Sequence, residues 1–214
     1  TPAASAGIGL HFFAGAVLLL LGPAQLISEI RAKAPVVHHW IGRVYALAAL
    51  AAGVGGLAFI AMKGTVGGMM MNVAFAAYGA LMVVAAVETV RHAMARRIDT
   101  HRAWAIRLFA LAIGSWLYRM GYGLFFATMG SDDPGHTAAF DGWFDYVMDW
   151  AFFVPPLIVA EMFIRARRSG ASAVVRVSAT AALAAGAALI AFATFFFTMM
   201  GWGPAILMRF GGAA

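Results

Sequence analysis

Apolar residues fill this chain in six long blocks, at about residues 7–27, 35–62, 66–90, 100–129, 142–164 and 174–200, separated by short polar or glycine-bearing breaks. The blocks reach the roughly 20 residues that a helix needs to cross hydrocarbon. They are apolar all round rather than along one stripe, which is the pattern of a membrane span and not of a surface helix. The pattern predicts an all-α integral membrane protein, a six-transmembrane-helix bundle forming one domain over residues 1–214. The first block is too long for a signal-peptide core and has no basic leader. The chain opens on Thr1-Pro2 without a Met, so an upstream piece is expected. A bend is expected at Gly22-Pro23, and Pro155-Pro156 falls near the middle of the fifth helix. Pro35 suits the first turn of the second helix, Asp99 or Thr100 can cap the fourth, and Ala205 to Ala214 reads as a short interfacial tail.

Composition agrees with this reading. Hydrophobic residues make up 63% of the 214 positions and charged ones only 11%, too few to cover a soluble domain of this size. The net charge of +6 therefore reads as a topology signal and not as a nucleic-acid footprint. Loops 1, 3 and 5, with the helix ends beside them, hold 12 of the 15 Lys and Arg residues; only Lys63, Arg119 and Arg209 lie elsewhere. By the positive-inside rule these loops face the cytoplasm and both termini face outward, an N-out/C-out topology expected in a bacterial inner membrane. There is no cysteine, so disulfides, iron–sulfur clusters and thiolate metal sites are excluded.

Two helices open with related text: His38-His39-Trp40-Ile41-Gly42-Arg43-Val44-Tyr45 and His101-Arg102-Ala103-Trp104-Ala105-Ile106-Arg107-Leu108-Phe109. Aligning Arg43 on Arg107 gives Trp-x-x-Arg-x-aromatic in both, with a histidine five or six residues before the arginine. The repeat predicts two equivalent helices, each presenting an imidazole and a guanidinium at the same end. His38, His39, His92 and His101 all fall at that cytoplasmic boundary. Imidazole is the strongest transition-metal ligand available here. His38 and His101, at equal depth on two helices, are candidate axial ligands of a single haem b, with His39 or His92 as substitutes. Arg43 and Arg107 lie roughly 8 Å further along and are candidate anchors for haem propionates. Binding of lipid headgroups by these side chains, or a quinone or substrate site, is the competing account. His11 has no helix-borne partner at its depth, so a second haem is not expected.

Arg119 lies roughly 15 Å deep by helical rise, and intramembrane charge is normally paired. Asp149, in the next helix, is its expected partner in a structural ion pair, with a proton or substrate path from the outer side as the alternative. Glu29, Glu88 and Glu161 sit at cytoplasmic helix ends, where pairing with the basic loops is expected. Gly53, Gly55 and Gly56 lack the strand-to-helix context of a dinucleotide site, and no hydrolase triad or zinc-protease motif stands out.

His38-x-x-x-Gly42-Arg43-x-Tyr45 followed by His101-Arg102-x-Trp104-x-Ile106-Arg107, with Arg119 twelve residues on, resembles a family of bacterial predicted membrane proteins known as domain of unknown function 2306. The resemblance covers about residues 35–125. It implies a multi-pass membrane fold and supplies no activity; a likeness to cytochrome b and ferric-reductase bundles is fold-level analogy. The leading functional expectation is a membrane electron-transfer protein of cytochrome b type that exchanges electrons with quinol or a partner complex. The alternatives are a cofactor-free accessory subunit of a larger membrane complex and a small transporter, the latter resting on Arg119, Asp149 and the proline breaks.

Overall fold

The computed structural model describes the backbone of residues 2–211 and the side chains of residues 13–211, so the histidine at position 11 lies outside the described side chains. Among the described residues every element is helical: α1 (Pro2–Leu26), α2 (Ser28–Lys33), α3 (Pro35–Lys63), α4 (Gly68–Met94), α5 (Ile98–Ala112), α6 (Gly114–Met129), α7 (Trp143–Ala151), α8 (Val154–Ala166), α9 (Ala173–Phe197) and α10 (Gly203–Gly211). Four helical rods are long and apolar enough to cross a membrane: α3, α4, the α7–α8 pair, and α9 continued through a wide turn into α10.

Local chemistry sets the boundaries. Pro35 opens α3, where its missing N–H would have been unpaired in any case. Gly64 closes that helix at φ 71°, the left-handed region that glycine enters without strain, while its N–H still bonds to the Ile60 carbonyl. Asn72 then ties the turn to α4 by accepting from the Thr65 N–H at 2.6 Å. The expected bend at Gly22-Pro23 does not interrupt α1, which runs to Leu26 with Pro23 one turn from its end. Gly22 instead leaves room for the rings of Phe109 and Tyr45, each within about 3.2 Å of where a Cβ would sit.

The expected fourth and fifth helices are each broken, and the breaks face each other. Pro155 and Pro156 lack N–H groups, so the carbonyls of Ala151 and Phe152 lose their helical donors and α7 gives way to α8. The Phe152 carbonyl lies 3.1 Å from where a Cβ on Gly114 would be, and Gly114 starts α6 just past the other break. Carbonyls freed at that break find local donors. Leu111 receives the Tyr78 hydroxyl at 3.0 Å and Ala112 the Ser115 hydroxyl at 3.5 Å, as apolar surroundings demand.

Helices α1, α3, α4 and α5 form a ring in which each packs on two neighbours, so that α3 and α5 stand diagonally opposite. Small residues allow the close approach of α3 to α4. Gly53 faces the Gly79 backbone, and Ala49, Ala85 and Ala86 are almost wholly buried beside them. Helix α8 packs on α5, α7 on α4 and α6, and α9 on α8 and α6. The bundle has two distinct ends. The α4–α5 and α8–α9 loops and the start of α3 carry the basic residues, while the α3–α4 turn shares the other end with the acidic loop before α7, where Val66–Met70 and Asp141 line one groove.

Candidate functional site

At the basic end the repeat is visible as structure. The Arg43 guanidinium lies 4.9 Å above the Trp40 ring and the Arg107 guanidinium 4.7 Å above Trp104, the same contact in both copies. Helical spacing of three residues stacks each pair on one face. The fates of the two arginines then differ. Arg43 is exposed, whereas Arg107 Nε donates to Glu161 Oε1 at 2.5 Å across the α5–α8 contact. The pairing of acidic helix ends with basic residues is also seen at Glu88, which bridges Arg91 at 2.9 Å and His92 at 3.1 Å. Glu161→Ala is expected to lower thermal stability in detergent, by about 1–2 kcal/mol for a partly exposed charged hydrogen bond. Glu161→Gln, which retains an acceptor, should lose less.

The histidines occupy different environments. His101 Nδ1 lies 2.9 Å from the Thr89 carbonyl oxygen. A carbonyl only accepts, so Nδ1 carries a proton, and in the neutral imidazole the lone pair lies on Nε2. That is the arrangement by which proteins orient a metal-ligating imidazole. His38 has a buried Nδ1 with no hydrogen-bond partner, while its backbone carbonyl is held by Gln25 Nε2 at 3.2 Å. His38 and His101 are near enough to act on each other electrostatically. His39 is exposed on the outside of α3. His92 is buried, with Nε2 on Glu88 and Nδ1 unpartnered. The structure thus places His38 and His101 on diagonal helices of the ring, binds His92 to a carboxylate, and leaves His39 exposed. Among the described residues no group of three or more His, Asp and Glu side chains converges to hold a bare metal ion. A haem would need only two imidazoles from the protein, and His38, with an unpartnered Nδ1, and His101, held through Nδ1, are two imidazoles on diagonal helices.

The acidic end holds a network that spacing alone did not bring together. Asp145 is fully buried and accepts the Tyr122 hydroxyl at 2.6 Å, His136 Nδ1 at 2.8 Å, and the backbone N–H groups of Thr137 and Gly142 at 3.1 and 3.0 Å. The Gly142 bond is half of a capping box, with Asp145 at the third position of α7 reaching back to the residue before the helix. The rings of Tyr122, Phe126 and Phe140 meet His136 edge-on at 4.8–5.4 Å. Phe140 holds its place at φ 56°, a left-handed conformation costly for a bulky residue and tolerated where neighbours over-determine it. The capping spacing Gly142-x-x-Asp145 was available in the sequence; the convergence of His136 and Tyr122 on it was not.

The expected Arg119–Asp149 ion pair does not form. Both Asp149 oxygens are buried and receive no hydrogen bond, while Arg119 is exposed and its Nη1 donates to the Ser115 carbonyl at 2.9 Å. The reason is helical phase. Tyr118 and Tyr122, four residues apart, share the face of α6 directed at α7, which turns position 119 away by about 100°.

Comparison with known proteins agrees with the resemblance and widens it. The family described as "Predicted membrane protein (DUF2306)" matches residues 8–164, well over half of the chain. No curated protein and no solved structure matches.

Proposed function

From the premise that the chain belongs to this family of predicted membrane proteins, we propose a cytochrome b-type electron-transfer protein with one haem between His38 and His101. The observation that carries the reading is the diagonal placement of the two histidines at one end of a four-helix ring, with His101 Nδ1 engaged by the Thr89 carbonyl. In this reading the chain crosses a bacterial inner membrane six times, with both termini outside and the basic loops in the cytoplasm. Electrons pass to or from quinol or a partner complex.

When bound, such a haem supplies one-electron exchange between two low-spin iron states. The protein's own contributions follow from its residues. Thr89 sets the His101 tautomer through its carbonyl, and Gln25 fixes the start of α3 through the His38 carbonyl. The Gly22, Tyr45 and Phe109 contact closes the ring about two turns further in and excludes water from that side. Arg43 is the cation available to a propionate, since Arg107 is already neutralised by Glu161.

A visible spectrum of detergent-purified protein, expressed with ample haem, tests this. A Soret band that shifts on dithionite reduction, with sharp α and β bands, is the expected result. Those bands should disappear in His38→Ala and His101→Ala and persist in His39→Ala. A flat spectrum would sink the reading and leave the cofactor-free accessory subunit, whose signature is co-purification at fixed stoichiometry.

A further inference from the structure

A second site lies at the acidic end and takes no part in the proposed haem site. The geometry points to Asp149 as a proton-binding carboxyl, reached from the acidic end of the bundle through His136, Asp145, Tyr122 and Tyr118.

Asp149 is wholly inaccessible, and neither carboxylate oxygen has a hydrogen-bond partner. An ionised carboxylate in that position would be shut off from bulk solvent and would receive no hydrogen bond from the protein, and protonation is the inexpensive way to remove its charge. A bound cation is the other way, but hard cations need several oxygen ligands around them. The two oxygens of Asp149 take part in no hydrogen bond, and no group of three or more His, Asp and Glu side chains that could hold a metal ion is found among the described residues. A proton needs no such shell.

The surroundings favour the neutral form on every side. On α7 itself the nearest acidic group is Asp145, one turn earlier, whose charge repels a second anion, and the exposed Tyr146 is the other ionisable residue of that helix. From α6 come the phenols of Tyr118 and Tyr122, while Arg119 on the same helix is exposed and does not bond to Asp149. The half of α4 that packs on α7 has no charged residue from Gly68 to Val87, and its Tyr78 hydroxyl is spent on the Leu111 carbonyl. Helix α8 contributes no ionisable side chain before Glu161, three turns away and engaged by Arg107. Phe152 and Phe153, one turn on from Asp149, are 2% exposed, and the Phe152 ring packs with Phe75, Tyr78 and Tyr118. The broken helices meet at this level, where Gly114 approaches the Phe152 carbonyl.

The route is a run of polar hydrogens. His136 Nδ1 is held by Asp145, which leaves Nε2 of a one-fifth exposed side chain for the medium. Asp145 accepts from the Tyr122 hydroxyl, and the Tyr118 hydroxyl lies 3.4 Å from that of Tyr122. Tyr118 does not donate to Asp149 in this structure, so the last transfer requires the Tyr118 side chain to turn from Tyr122 toward the carboxylate. A proton entering at His136 Nε2 releases the Nδ1 proton to Asp145. Once the two hydroxyls have turned about, Asp145 passes a proton to Tyr122, Tyr122 passes its own to Tyr118, and Tyr118 passes its own to Asp149. The transfer leaves Asp145 ionised, both tyrosines neutral and His136 protonated on Nε2 instead of Nδ1.

Infrared spectroscopy of the purified full chain tests this directly. At neutral pH the protein should show the C=O stretch of a protonated carboxylic acid, which shifts in heavy water. That band should be lost in Asp149→Asn and in the volume-matched Asp149→Leu, and retained in Asp141→Asn at the exposed loop. Thermal stability of Asp149→Asn should stay near that of the unaltered protein, because a neutral group replaces a neutral group. In Tyr122→Phe and His136→Gln the band should exchange several-fold more slowly after transfer to heavy water. A spectrum that is the same with and without Asp149, or a large loss of stability in Asp149→Asn, would overturn the site. Unchanged exchange in both route variants would overturn the route.

Discussion

Asp145→Ala is expected to be the most destabilising single substitution of a polar residue in this protein, costing about 3–5 kcal/mol. The carboxylate has no exposed surface and accepts four hydrogen bonds, two from side chains and two from backbone N–H groups. Deleting it leaves all four donors facing an apolar gap, and a buried donor without a partner loses about 1–3 kcal/mol each when it cannot recover water. The donors do not all stay dry. His136 is partly exposed, and the loop can rewet Thr137 by opening. The expectation therefore sits below the sum of four penalties. Asp145→Asn is the informative companion. Its carbonyl oxygen still accepts, but its NH2 points at donors, so an intermediate loss is expected. Thermal unfolding in detergent, followed by tryptophan fluorescence, measures both; Trp143 packs edge-on against Phe144 at the start of the same helix. A drop in Asp145→Ala no larger than that of an exposed loop change such as Asp132→Ala would show that the network contributes little.

Gly53→Leu is expected to separate α3 from α4 and cost about 3 kcal/mol or more, at the upper end of overpacking effects. A Cβ at Gly53 would sit 2.9 Å from Val83 Cγ2 and 3.0 Å from the Gly79 carbonyl oxygen. The second contact is with backbone, which cannot swing aside as a side chain can. The approach is reciprocal, since a Cβ at Gly79 would stand 3.4 Å from the Gly53 carbonyl. Between lipid-facing helices little of the attraction comes from excluding water, so close van der Waals contact carries the packing and a lost contact is not compensated. Gly55→Leu and Gly56→Leu serve as controls, because a Cβ at either position meets nothing within 4 Å. A reduced midpoint in Gly53→Leu alone is the expected pattern, and equal losses in all three would show that helix propensity is responsible.

Much of the architecture is legible in the sequence. Pro35 and Gly64 bracket α3 within a residue of the expected helix, because φ restriction at proline and left-handed tolerance at glycine act locally. The membrane assignment follows from composition, and the repeated Trp-x-x-Arg spacing forms the same cation–π contact at Trp40–Arg43 and at Trp104–Arg107. Other features depend on contacts that the sequence does not show. A single helix was expected over 100–129, but a glycine at position 114 is ambiguous in a chain with 24 of them. Only the approaching Phe152 carbonyl shows that this one must be small.

The sequence by itself determined that the chain is helical and belongs in a membrane, where most of its helices begin and end, and which charges gather at which end. These properties depend on neighbours along the chain and on totals. The tertiary structure decided which faces meet. Helices that are apolar all round carry no amphipathic stripe to set their rotation, so the sequence could put Arg119 and Asp149 at similar depth but not say that helical phase would separate them. Rotation is set by close contact between helices, such as Gly53 with Gly79 and Gly114 with Phe152. Those contacts left Asp149 without a hydrogen bond in the interior, gave Asp145 to Tyr122 and His136, and set His38 and His101 on opposite helices of one ring.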